Sequence, residues 1–338
     1  MRTMKRFLAV CFLLFSVTST IAWADAVSEM ASFSVFGSVD LGELAGSGPK
    51  TMHGPPMGGR FLSVQSCYLM SGSPAQQIDA IRRWNPARHS ELKVFLHGDL
   101  PNSPTVANFA RLKNAPNNGP IQAFVSQTQQ GGSELQISKA EAKNLPTGAT
   151  GGGAMPAPVM KFWGELLANR ARGFSSGGTA SQPSYDYTGE NIRPNDELNS
   201  LVKQQDKIRK QFSGLLGQTG IGHGSGAISP ELYWELLNVD DRGVVTLGAY
   251  YNKAAANGAY QAADVLYYAS GGYYVSLTLY QMWPVNVQGK ASTLVWRGDM
   301  ISSASLGSLH GVERLGSEAA MMKEISKAIT FFCQDMSR

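Results

Sequence analysis

The last third of this chain constrains its fold most. Four runs rich in aromatic and β-branched residues stand at 244–251, 265–269, 273–283 and 292–302, and Gly271-Gly272 and Gly289 mark tight links between the later ones. Links that short leave no room for a crossover helix, so consecutive runs must pair antiparallel, as a meander. In the third run Val275, Leu277 and Leu279 fall on one side, and Ser276, Thr278 and Tyr280 on the other. One face of the sheet is therefore expected to be buried and the other partly polar. After Ser317, residues Met322, Ile325, Ile329 and Phe332 recur at helical spacing, so a long C-terminal helix should pack on the sheet.

Upstream, 61–70 and 91–97 read as strands, and 121–128 is strand-like. Ser73-Pro74 and Ser103-Pro104 each place a capping residue before a first-turn proline, opening helices, and Ser138 with Glu141 forms a capping box. The composition then changes. Residues 146–155 form a Gly-rich linker, a helix carrying Val159, Phe162, Trp163, Leu166 and Leu167 follows over 158–172, and a charged helix over 197–216 lies between two further Gly-rich stretches. This divides the chain into 1–24, a flexible N-terminal segment 25–60 with a strand at 32–39, an N-terminal α+β part 61–145, a linker-rich part 146–228 with two helices, and a C-terminal sheet plus helix 229–338. The fold class is α+β. In its broader form, helices cover one face of an antiparallel sheet. The order of strand, helices, strands, meander and last helix also resembles the helix-grip fold of START-type ligand-binding domains. That resemblance rests on element order, and it implies a large mid-chain insertion over 146–228 and an apolar cavity between the sheet and its last helix.

Met1 to Ala24 reads as an export signal: Arg2, Lys5 and Arg6 precede an apolar run at 7–17, and Ala22-Trp23-Ala24 supplies a small-x-small cleavage pattern before Asp25. Cys11 leaves with the signal, since Val10 is too large for the residue before a lipid-modified cysteine. Those 24 residues hold three of the four units of net positive charge, so the remainder is near neutral and nucleic acid is not an expected partner. No later run reaches the ~18 uninterrupted apolar residues of a spanning helix. The expectation is an exported protein of the periplasm or exterior, bacterial in the absence of an Asn-x-Ser/Thr sequon. Two cysteines then remain, Cys67 and Cys333. In an oxidising compartment they are a candidate disulfide that would stabilise the chain by ~4–5 kcal/mol in the chain-entropy model; two buried thiols are the alternative.

No cofactor motif stands in the sequence, and no His/Cys set has metal-site spacing. Gly173 to Gly177 matches G-x-S-x-G, but a helix precedes it where a strand is required. The densest ionisable cluster is 88–99, which offers His89, Glu91 and His97 as candidate catalytic groups; a solvated strand edge is the plainer reading. Arg297 and Asp299 are expected to form ion pairs with Glu313-Arg314, tying the last hairpin to the C-terminal helix. The meander's aromatics offer Tyr268, Tyr274, Tyr280, Trp283 and Trp296 as ligand-binding candidates, or simply as the core and rim of a half-buried sheet. The leading expectation is a non-enzymatic binder of an apolar or amphipathic small molecule or of an envelope protein. A hydrolase using the 88–99 cluster and a structural envelope component are the alternatives.

Overall fold

The computed structural model describes residues 25–148, 153–221 and 226–337. The expected signal, 1–24, lies outside them. Among the described residues eight strands form a single antiparallel sheet: β1 (Lys50–His53), β2 (Phe61–Ser71), β3 (Val94–Leu100), β4 (Glu231–Val239), β5 (Arg242–Ala254), β6 (Tyr260–Ala269), β7 (Val275–Val287) and β8 (Lys290–Ser302). Their order is β1-β2-β8-β7-β6-β5-β4-β3. The meander is thus β4 to β8, and β2 closes onto β8 while β3 closes onto β4. Turn chemistry sets this register. Gln288 and Gly289, between β7 and β8, have φ of 52° and 79°, the paired positive values of a tight two-residue hairpin turn. Asp240 and Asp241 do the same between β4 and β5, at 48° and 58°.

The helices, in chain order, are α1 (25–33), α2 (Leu41–Ser47), α3 (Pro74–Arg83), α4 (Gly119–Gln130), α5 (Lys139–Ala142), α6 (Ala157–Gly177), α7 (Pro194–Lys203), α8 (Asp206–Gln211), α9 (Ser213–Thr219), α10 (Ala304–Ser308) and α11 (Gly311–Met336). They cover both faces of the sheet, not one. On the first face lie α3 and the long α11, which runs along β2: Arg314 bonds the carbonyls of Met57, Gly59 and Phe61, and at the other end Cys333 Sγ sits 3.3 Å from Met70 Sδ. Ile325, Ile329 and Phe332 of α11 are buried there, each worth roughly 1.5–3 kcal/mol of apolar burial. On the second face lie α1, α4, α6 and α7 to α9, packed on Trp163, Trp234, Trp296 and the Val/Leu side of β5 to β8.

The α+β class, the antiparallel meander and the long C-terminal helix packed on it are therefore all present. Helical elements fill the interval between β3 and β4, beginning before the linker-rich part expected over 146–228.

Several local expectations are corrected. Residues 25–60 are not a bare flexible lead with a strand at 32–39. Residues 25–33 are helical and bury Met30 and Phe33, and the first strand is β1. Residues 121–128 are helical because Asn118 caps the Ile121 amide and Pro120 starts the turn; Ile121, Phe124, Val125 and Thr128 then share one buried stripe. The charged helix expected over 197–216 is three short ones, broken at Gln204-Gln205 and Phe212. Gly173 to Gly177 lies inside α6, where Ser175 bonds the Ala171 carbonyl and forms no nucleophile elbow. Cys67 and Cys333 are free. They cannot meet, because Cys67 packs into the second-face core while Cys333 sits on the first, with the sheet between them. Burial pushes both thiols up, Cys67 to about 12 against a small opposing pull from Lys50, and Cys333 to about 11. No helix among the described residues is long and apolar enough to cross a membrane.

Candidate functional site

Strand alternation sends every second residue of β4 to β8 toward α11, and the sheet and helix do not close completely there. They leave a cavity of about 350 Å³. Its helix wall is apolar: Met321, Ile325, Ala328, Ile329 and Phe332, with Ile81 and Trp84 alongside. Its sheet wall is polar and tyrosine-rich. One row across the sheet, in register, reads Glu231, Tyr250, Asp264, Thr278 and Asp299.

The polar wall is organised in pairs. Arg297 grips Asp299 two residues along β8 with both Nε and Nη2, at 2.7–3.1 Å, and Thr278 donates a further bond to the same carboxylate at 2.9 Å. Burial works against the Arg297 charge, but Asp299 outweighs it and the guanidinium pKa ends higher than usual. The Tyr280 ring lies 5.5 Å from that guanidinium. At the rim, Arg82 of α3 bridges Asp99 and Glu231 at 3.0 and 2.6 Å. His97 Nδ1 and Glu235 Oε1 are 3.0 Å apart, directly opposite in the β3–β4 register, and the His97 ring stacks on Tyr233.

Tyr233 does more than stack. Its hydroxyl reaches across β5 to donate to Asp264 Oδ1 at 2.6 Å. That path exists because the residue beneath the ring is Gly248: a Cβ there would stand 2.1 Å from Tyr233 Cζ. Asp264 lines the cavity and is partly exposed, and burial pushes its carboxyl up to about 6. The Tyr233 hydrogen bond, Arg297 and His97 act against the rise, and Glu235 adds to it.

The candidates named from sequence scatter around this cavity. Tyr280 and His97 line it. His89 does not: its Nε2 bonds Asp335 at 2.8 Å, beside Trp84 Nε1 on the same oxygen, and its ring stacks on Phe331, so it clasps the end of α11. Glu91 is exposed in a 3-10 turn before β3, its carbonyl accepting from Lys327. Tyr268 is buried on the second face beneath Arg170, Tyr274 bonds Glu190, Trp283 bonds Glu29, and Trp296 bonds Gln65. Arg297 pairs within its own strand, and Arg314, not Glu313, ties α11 to the sheet through carbonyls.

No family model matches the sequence, and no curated protein matches it. Among solved structures the chain is similar to one described as "Crystal structure of Ara h 8.0201", at 11% identity and a TM-score of 0.20, over 31% of this chain and 66% of that one. So slight a likeness carries neither fold nor function to this chain.

The cavity-wall residues that sequence reading missed are Asp264, Tyr233, Glu235 and Tyr250. A signal for the first existed, because an aspartate between Ala263 and Val265 is a lone acid in an apolar strand. It has a measurable consequence. Between pH about 4 and about 6 the folded chain holds an Asp264 proton that the unfolded chain has released, so this residue's contribution to stability falls as pH rises through that window, by roughly 2–3 kcal/mol. The side chain's access to the cavity favours the lower figure. Asp264→Asn is expected to remove the loss. Chemical unfolding of both proteins at about pH 4 and about pH 7 should show the variant gaining on wild type as pH rises; a difference that does not change with pH disproves the assignment.

Proposed function

We propose that this chain is a binding protein for a small amphipathic molecule held between the sheet and α11. The observation that carries the reading is the cavity itself: an apolar wall from α11 faces a polar wall from β3 to β8, in a volume within the range of about 300–1,000 Å³ typical of small-molecule sites. We also propose, on the pattern in Met1 to Ala24, that the chain acts outside the cytoplasm, in the periplasm or beyond. Native mass spectrometry of the exported protein tests both. A chain mass beginning at Asp25 and a co-purifying small-molecule mass, absent from an Ala328→Trp variant whose indole fills the cavity, are the expected results. A chain that keeps its first 24 residues overturns export. A wild-type protein that never carries a ligand, or a variant that carries it equally, overturns binding in this cavity.

A second reading, acid–base catalysis, is favoured by the His97–Glu235 pair at the cavity wall. Among the described residues no serine or cysteine is hydrogen-bonded to His97, so the chemistry this pair suits is proton transfer rather than nucleophilic hydrolysis. In the same spectra it would show as a converted ligand mass that disappears with His97→Asn.

A further inference from the structure

We propose that the ligand's polar head is an organic cation, an amine, seated against Asp264 with Tyr250 and Tyr280 beside it. The proposal rests on the binding reading above and names the class of molecule bound.

The pairing of charges in the cavity leads to it. Both arginines of the polar wall are committed: Arg297 is held by both oxygens of Asp299, and Arg82 is shared between Asp99 and Glu231. Glu235 has His97. Asp264 has a hydroxyl donor at Oδ1 from Tyr233, but among the described residues no cation pairs with it and Oδ2 accepts no hydrogen bond. A carboxylate inside a fold without a cationic partner is costly, and a cation arriving with the ligand removes that cost.

Tyr250 is the independent observation. It stands directly opposite Asp264 in the β5–β6 register, is 3% exposed, and its buried hydroxyl has no hydrogen-bond partner. A buried hydroxyl left unpaired is unfavourable, so a ligand atom that pairs with it is favoured. Its lone pairs accept from an ammonium, and Tyr280 on β7, whose ring already has the Arg297 guanidinium 5.5 Å away, lines the same part of the cavity. A carboxylate ligand would instead face Asp264 and Glu235 with no uncommitted arginine to receive it. A neutral alcohol could bond Tyr250 but would leave Asp264 unpaired. The apolar stem of the amine then lies along Ile325, Ile329 and Phe332.

The groups facing Asp264 across the cavity are Tyr233 and Glu235 from β4, His97 from β3, Tyr250 from β5, Tyr273 just before β7, Thr278 and Tyr280 from β7, Arg297 and Asp299 from β8, Tyr68 from β2 and Arg82 from α3, while α11 presents apolar side chains. Of these, Asp264 is the group whose ionisation the cation requires, so amine binding should strengthen as pH rises from about 5 to about 7.5, where an alkylamine remains protonated.

Isothermal titration of the folded mature chain with decylamine, decanol and decanoate, one stem with three heads, tests this. Decylamine is expected to bind at least about tenfold tighter than decanol at neutral pH, with decanoate weakest. Asp264→Asn should bring the amine-to-alcohol ratio to about one. Tyr250→Phe, which leaves the carboxylate intact, should lower the same ratio by about threefold to tenfold. Equal affinity for decanol and decylamine in the wild type overturns the cation proposal while leaving a binding cavity in place. Failure of all three to bind overturns the binding reading as well.

Discussion

Replacing Arg170 with methionine is expected to destabilise the fold by about 3–5 kcal/mol, the usual consequence of breaking a buried ion pair from one side. Arg170 is 1% exposed on α6. Its Nε and Nη2 hold Glu141 at 2.8 and 2.7 Å, its Nη1 donates to the Pro183 carbonyl at 3.2 Å, and its guanidinium lies 4.3 Å from the centre of the Tyr268 ring. Burial opposes the charge, but Glu141 overcomes it, so the guanidinium stays protonated. One side chain thereby ties α5, α6, the 183–187 segment and the second face of the sheet together. Methionine keeps the packing volume but strands the Glu141 carboxylate, which also caps α5 through the Ser138 amide. Urea unfolding should show the loss, and Arg170→Met with Glu141→Leu should recover part of it, because the stranded charge is then gone. A single variant within about 1 kcal/mol of wild type would show that the pair contributes little.

Gly248→Ala should be nearly as damaging, at about 3 kcal/mol, for a steric reason. The added methyl would stand 2.1 to 2.5 Å from Cζ, Cε1 and Oη of Tyr233. The backbone of β5 is held by β4 on one side and β6 on the other, so the ring must move, and its bond to Asp264 breaks. The same change in a Tyr233→Ala background should be far milder, since no ring is left to clash. Unfolding free energies for the four proteins of this cycle give the coupling directly. An equal loss in both backgrounds would mean that strand propensity, not the ring, makes glycine necessary.

What sequence reading recovered was local in origin. The β7–β8 hairpin follows from two positive-φ residues and an alternating pattern, and the Ser73 and Ser138 capping boxes are contacts between residues three apart. Alternation in 275–280 also placed Ser276, Thr278 and Tyr280 on a face separate from Val275, Leu277 and Leu279, and that face is the cavity wall. Strand β4 escaped although Leu232, Trp234 and Leu236 alternate, because its Glu and Leu residues are good helix formers and only pairing with β3 and β5 fixes the segment as a strand. Helix α4 was misread the other way, since Ile, Val and Thr favour strands unless a cap and a buried stripe decide otherwise.

The site itself was hidden for a different reason. His97 meets Glu235 across 138 positions, and Tyr233 meets Asp264 across 31. Tyr268 and Tyr280 are equally aromatic in sequence, yet the sheet puts one under Arg170 and the other over Arg297. The sequence alone determined the antiparallel meander, the helix that packs on it and the alternation that makes one sheet face polar, because spacing and turn chemistry act between near neighbours. Only the tertiary structure decided that Asp264, with no cation paired to it among the described residues, stands beside the unpartnered hydroxyl of Tyr250 in a cavity under α11, because strand register joins residues whose separation along the chain carries no local signal.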